Sequence, residues 1–91
     1  MIDLAKETTI LNKIIALSDL KWGQKAIIIA YIEKPNAHRR RLLDMGMTIG
    51  TFLFIKKISP FKDPIGVQLR GYELCVRKEE LKNILVQVMP S

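Results

Sequence analysis

The sequence predicts a mainly-β fold: a small, strongly bent β-barrel of five to six short strands, with one short helix inserted near residues 37–46 and a second near 78–83. Three observations predict it. Short runs rich in isoleucine, valine and phenylalanine recur along the chain, each bounded by glycine, proline or small polar residues. Beyond residue 13, helix signals are confined to two stretches, the one after Asn36 and the one at Arg77–Asn83. The longest uninterrupted apolar run, Ala26 to Ile32, is far shorter than the roughly 20 residues a membrane-spanning helix needs.

Residues 1–13 mix strand and helix character and are read as an extension, with residues 14–91 as a single domain. A first strand is expected near Ile14–Leu17, followed by a turn at Ser18–Gly23, where Gly23 can take a positive φ. Gln24–Glu33 is the clearest strand. Ala26, Ile28, Ala30 and Ile32 occupy one face and Ile27, Ile29 and Tyr31 the other, so both faces are expected to be covered. Lys34-Pro35 ends it. Asn36 is a good N-cap for a helix from Ala37 to Met45, with Leu42, Leu43 and Met45 as its apolar stripe. Gly46 stands where a left-handed residue closes a helix.

Thr51–Ile58 is the next strand, with Phe52, Phe54 and Ile58 expected on one core-like face. Ser59–Pro64 is a loop with two prolines. Ile65, Val67 and Leu69 then alternate with Gly66, Gln68 and Arg70, the pattern of a half-exposed strand. Gly71-Tyr72 is expected to turn the chain into Glu73–Val76, and Arg77–Asn83 forms one to two helical turns. The last strand is Ile84–Val88.

Composition excludes some functions and leaves others. One cysteine, Cys75, cannot form an intramolecular disulfide and suits a reducing compartment; with no signal peptide evident, a cytoplasmic location is expected. Fifteen Lys and Arg against nine Asp and Glu give a net charge of +6, which favours an anionic partner or solubility alone. Catalysis is poorly supported. Gly46-x-x-x-Gly50 has neither the length nor the lysine of a phosphate loop, and Glu79-Glu80 are helix neighbours that point about 100° apart. His38, Cys75, Met45, Met47 and Met89 show no metal-site spacing and read more simply as ordinary helix, strand and core residues. No cofactor and no metal are expected.

The basic run is different. Arg39, Arg40 and Arg41 stand in the first turns of the helix and Asp44 near its end, the reverse of what the macrodipole favours, and no glutamate three residues away compensates them. At least one arginine is expected to face a partner or an internal carboxylate such as Asp63; a solvated charge run is the competing explanation. Phe61, in the Pro60–Pro64 loop, is either a contact anchor on a stiffened loop or a ring folded over the barrel end.

Arg40-Arg41-Leu42-Leu43-Asp44-Met45-Gly46-Met47-Thr48-x-Gly50 resembles the FeoA family, small cytoplasmic partners of the bacterial ferrous iron transporter. The resemblance continues through Leu17–Gly23, Ser59–Pro64, Arg70-Gly71-Tyr72 and Leu74–Glu80, covering roughly residues 15–88 in order. It implies an SH3-like barrel and a non-enzymatic accessory role, acting by protein–protein contact with the permease FeoB, whose cytosolic part is a GTP-binding domain. Lys62 departs from a position where the family commonly has glycine, and residues 1–13 have no clear counterpart. A related barrel is the C-terminal domain of iron-dependent repressors, but this chain has no room for their winged helix.

The contact surface expected on this basis draws on Arg39, Arg40, Arg41, Phe61, Asp63 and Tyr72, in a protein expected to be monomeric, to have no membrane span and to meet the inner membrane only through its partner. The second reading is a small nucleic-acid-binding barrel, suggested by the charge. It is weakened because such barrels place aromatics on the basic face, whereas Phe52 and Phe54 are expected in a core-like strand and only Tyr31, Phe61 and Tyr72 remain as candidates.

Overall fold

The computed structural model describes residues 13–61 and 63–90. Among these residues six strands form one antiparallel sheet: β1 Ile14–Ala16, β2 Lys25–Tyr31, β3 Phe52–Ile58, β4 Ile65–Leu69, β5 Tyr72–Val76 and β6 Ile84–Val88. Helix α1 spans Ala37–Asp44 and the short α2 spans Lys78–Leu81, and a 3-10 turn at Leu17–Asp19 follows β1. The spatial order is β1-β6-β2-β3-β4-β5, so β1 and β5 are the two edges. The sheet curls around one core to which every strand from β2 to β6 contributes, through residues such as Ile28, Ile55, Val67, Val76 and Val86. The expected extension at residues 1–13 lies outside the described residues except for Lys13, whose carbonyl accepts from the Val88 N–H at 2.8 Å.

Local chemistry accounts for the punctuation. Asn36 caps α1, its Oδ1 accepting the Arg39 N–H at 2.7 Å. Gly46, at φ 101°, ends the helix as expected. The β4–β5 hairpin turns on Arg70 (φ 47°) and Gly71 (φ 83°), a two-residue turn with both central residues left-handed. Leu42 and Met47 are fully buried, while Met45 is half-buried against the core. The plug over the core is therefore Leu42 of the expected apolar stripe together with Met47 from beyond the helix end, with Met45 packed against the core beside them.

Two β-bulges correct the expected strand faces. In β3 the register against β4 shifts between Ile55 and Lys57. Leu53 and Ile55 face the core before the shift and Ile58 packs against it afterwards, although Ile58 has the opposite parity. Phe52 and Phe54 share parity with Ile58 but precede the bulge, so they lie on the outer face, and Phe52 is 61% exposed. In β2 a shift between Ile28 and Ala30 brings Tyr31 opposite the buried Ile84 and against the core. Ile32, expected in line with Ala26 and Ile28, lies beyond the last ladder pair and is exposed.

Candidate functional site

The segment from α1 to the start of β3 is tied down by side chains from three strands or their ends. The Tyr31 hydroxyl donates to the Met47 carbonyl at 2.6 Å. The Tyr72 hydroxyl donates to the Met45 carbonyl. Arg70 donates from Nε to the Gly46 carbonyl at 3.3 Å, and from Nη2 to Thr48 Oγ1 and Thr51 Oγ1, each at 3.0 Å. Thr51 is the polar residue buried beneath this arrangement. Glycine is required at position 46 twice over: its φ is 101°, and a Cβ there would stand 2.7 Å from the Tyr72 hydroxyl.

The three arginines separate into distinct roles. Arg39 donates from Nη1 to the Glu33 carbonyl at 3.0 Å, and its guanidinium lies 5.2 Å from the centroid of the Tyr31 ring. Arg41 pairs with Glu80 of α2, whose Oε1 also lies 3.3 Å from His38 Nδ1. The carboxylate opposite the basic run is therefore Glu80, not Asp63. Arg40 is exposed, and its side chain makes no hydrogen bond or ion pair among the described residues. It lines a surface hollow with Pro35, Asn36, Leu43 and Asp44.

Asp63 works within the fold. Its Oδ1 accepts the Lys78 N–H at the start of α2 at 2.9 Å, and Oδ2 stands 3.9 Å from Arg77 Nη1. Ser59 closes the same loop, its hydroxyl donating to the Asp63 carbonyl and accepting the Asp63 N–H. Phe61 is 91% exposed and does not fold over the barrel end. Lys62 lies outside the described residues.

Of the six residues proposed for contact, Arg39, Arg41, Asp63 and Tyr72 have partners inside the protein, while Arg40 and Phe61 point outward. Sequence reasoning missed Arg70 and Glu80, which act across long separations with no local signal. It also missed the outer face of β2, β3 and β4. There Phe54 lies opposite Lys25 on one side and Gln68 on the other, and Phe52 lies opposite Ile27. Trp22 is also exposed, its Nε1 donating to the Lys56 carbonyl at 3.1 Å.

Burial pushes the Tyr31 phenol up to about 12; Arg39 opposes that rise and Glu33 adds to it. Among the described residues no three His, Cys, Asp or Glu side chains group closely enough to hold a metal ion. No helix among them is long and apolar enough to cross a membrane.

A family model described as the FeoA domain matches residues 15–88. The chain belongs to the FeoA domain family. The FeoA-like protein of Clostridium acetobutylicum, solved by NMR, is 38% identical with a TM-score of 0.78, over 87% of this chain and 91% of that one. A zinc-complexed FeoA from Stenotrophomonas maltophilia, described as a procaryotic SH3 domain protein, is 24% identical with a TM-score of 0.69 over 79% and 88% of the two chains. That likeness supports the SH3-like fold. A Porphyromonas gingivalis protein described as a fusion of Fe(2+) transport protein A with the Fe(2+) transporter FeoB is 29% identical over 75 residues. The match takes in 82% of this chain but spans only 9% of that protein's length.

Proposed function

We propose that this FeoA-family protein is a non-enzymatic, cytoplasmic accessory protein of ferrous iron uptake, acting by direct contact with an FeoB-type permease. The fusion relative carries this reading: joining the two parts in one chain raises their effective concentration, which serves partners that touch. The surface supports it with an exposed arginine, Arg40, whose side chain has no partner among the described residues, and a solvent-exposed ring, Phe61. Arginine and aromatic residues are enriched among the side chains that dominate protein interfaces.

The experiment is a titration of isotope-labelled protein with the cytosolic part of an FeoB-type permease and with the full-length transporter. Saturable shift changes are expected, with affinity lowered about tenfold or more by Arg40→Glu and by Phe61→Ala. Both side chains are exposed, so the melting temperatures of these variants should stay near that of the parent. No shift changes with either titrant well above micromolar concentration would overturn the proposal.

A further inference from the structure

We propose that the outer face of β2, β3 and β4 docks a short, extended acidic segment with apolar anchors, belonging to a protein partner. This deepens the reading above and rests on it for the partner's identity alone. Lys25, Phe52, Phe54, Gln68, Arg70 and Met89 line a groove of about 590 Å³ on this face. Among the described residues, Lys25 and Arg70 are the two charged residues that line it, and no carboxylate does. The nearest acid by register, Glu73 opposite Gln68, is turned away: its carboxylate lies 3.8 Å from Lys56 Nζ and over Gly66. Lys25 forms no ion pair among the described residues.

Arg70 is the better-defined anchor. Its Nε and Nη2 donors are committed to the Gly46 carbonyl and to two threonine hydroxyls, all neutral acceptors. The guanidinium is thereby held in place, and among the described residues it has no ion-pair partner and its Nη1 makes no hydrogen bond, which leaves a donor for a carboxylate at this end of the groove. Phe52 and Phe54 are two residues apart on one face, hence about 6.5–7 Å apart along the strand. Alternate side chains of an extended peptide repeat at the same distance, so apolar anchors spaced by two can sit on successive rings. A single-stranded nucleic acid would also stack there, but its regular phosphates call for a cationic track. Two cations at this groove, with Met89 and Pro90 at its border, suit a peptide better.

The test uses the full chain, isotope-labelled. It is titrated in turn with a hexapeptide of alternating glutamate and leucine, its lysine–leucine counterpart, and a twelve-base oligo-dT. The acidic peptide alone is expected to shift Lys25, Phe52, Phe54 and Arg70, with affinity falling as salt is added. Lys25→Glu and Phe52→Ser should each weaken it about tenfold. Should Phe52→Ser fail to fold, Lys25→Glu with the salt series carries the test. The proposal is overturned by no shift at millimolar peptide, by equal shifts from the lysine peptide, by shifts confined to α1, or by tighter binding of oligo-dT at the same face. Permease binding that is unchanged by both substitutions would sink this face and leave the accessory role standing. Peptide binding here without any permease binding would do the converse.

Discussion

Replacing Gly46 by alanine separates the two demands placed on that position. The first is conformational: at φ 101° a Cβ strains the backbone, costing about 1–2 kcal/mol. The second is local: the new Cβ would stand 2.7 Å from the Tyr72 hydroxyl, which must move and release the Met45 carbonyl. Losing that hydrogen bond adds about 0.5–1.5 kcal/mol. The expected destabilisation is about 1.5–3.5 kcal/mol, or a fall of about 6–28 °C in melting temperature for a domain of this size.

Gly50 is the internal control. Its φ of 91° carries a similar strain, but nothing lies within 4 Å of a Cβ placed there, so Gly50→Ala should cost only the backbone part. Tyr72→Phe removes both the hydrogen bond and the obstructing oxygen. In that background Gly46→Ala should cost the same as Gly50→Ala, leaving a coupling of about 1 kcal/mol in the double-mutant cycle. Urea unfolding followed by circular dichroism measures all four variants. Equal costs at positions 46 and 50 in the parent, or strict additivity with Tyr72→Phe, would refute the packing of the tyrosine over Gly46.

Two further outcomes are expected. Leu42→Ala removes a fully buried side chain of the plug and should cost about 2–5 kcal/mol in urea unfolding; a loss below about 1 kcal/mol would mean that α1 does not seal the core. For Tyr31, burial chiefly, with Glu33 assisting and Arg39 opposing, raises the phenol from 10.0 to about 12. Its neutral form therefore stabilises the fold fully below about pH 10, and that contribution is lost as pH rises from 10 toward 12. Urea unfolding across that window should show a downward slope that Tyr31→Phe reduces, and an identical slope in the variant would contradict the assignment.

What was legible in the sequence was local. The cap at Asn36 and the helix end at Gly46 each depend on a few neighbouring residues and stand where the pattern places them, and the hairpin turn, expected at Gly71-Tyr72, falls one residue earlier on Arg70 and Gly71. The bulges after Ile28 and Ile55 were not legible, because they arise from register against β6 and β4 rather than from anything in β2 or β3 alone. A strict alternation carried through Lys56 therefore put Phe52 and Phe54 on the wrong side of the sheet. The pairing of Arg41 with Glu80 was hidden for the same reason, since it joins two helices 39 positions apart.

That misplaced face changes the weighing of function. With Phe52 and Phe54 pointing outward, the absence of aromatics from the basic surface no longer counts against nucleic acid. The discrimination passes to the number and placement of cations around the rings. It also joins the two candidate surfaces physically. Arg70 ends the groove, and the same guanidinium holds the carbonyl and hydroxyls that follow α1. The outward side chains of α1 and the rings of β3 are thus carried on one braced frame. A partner that meets both encounters a surface already ordered, and little of its binding energy is lost to fixing loops.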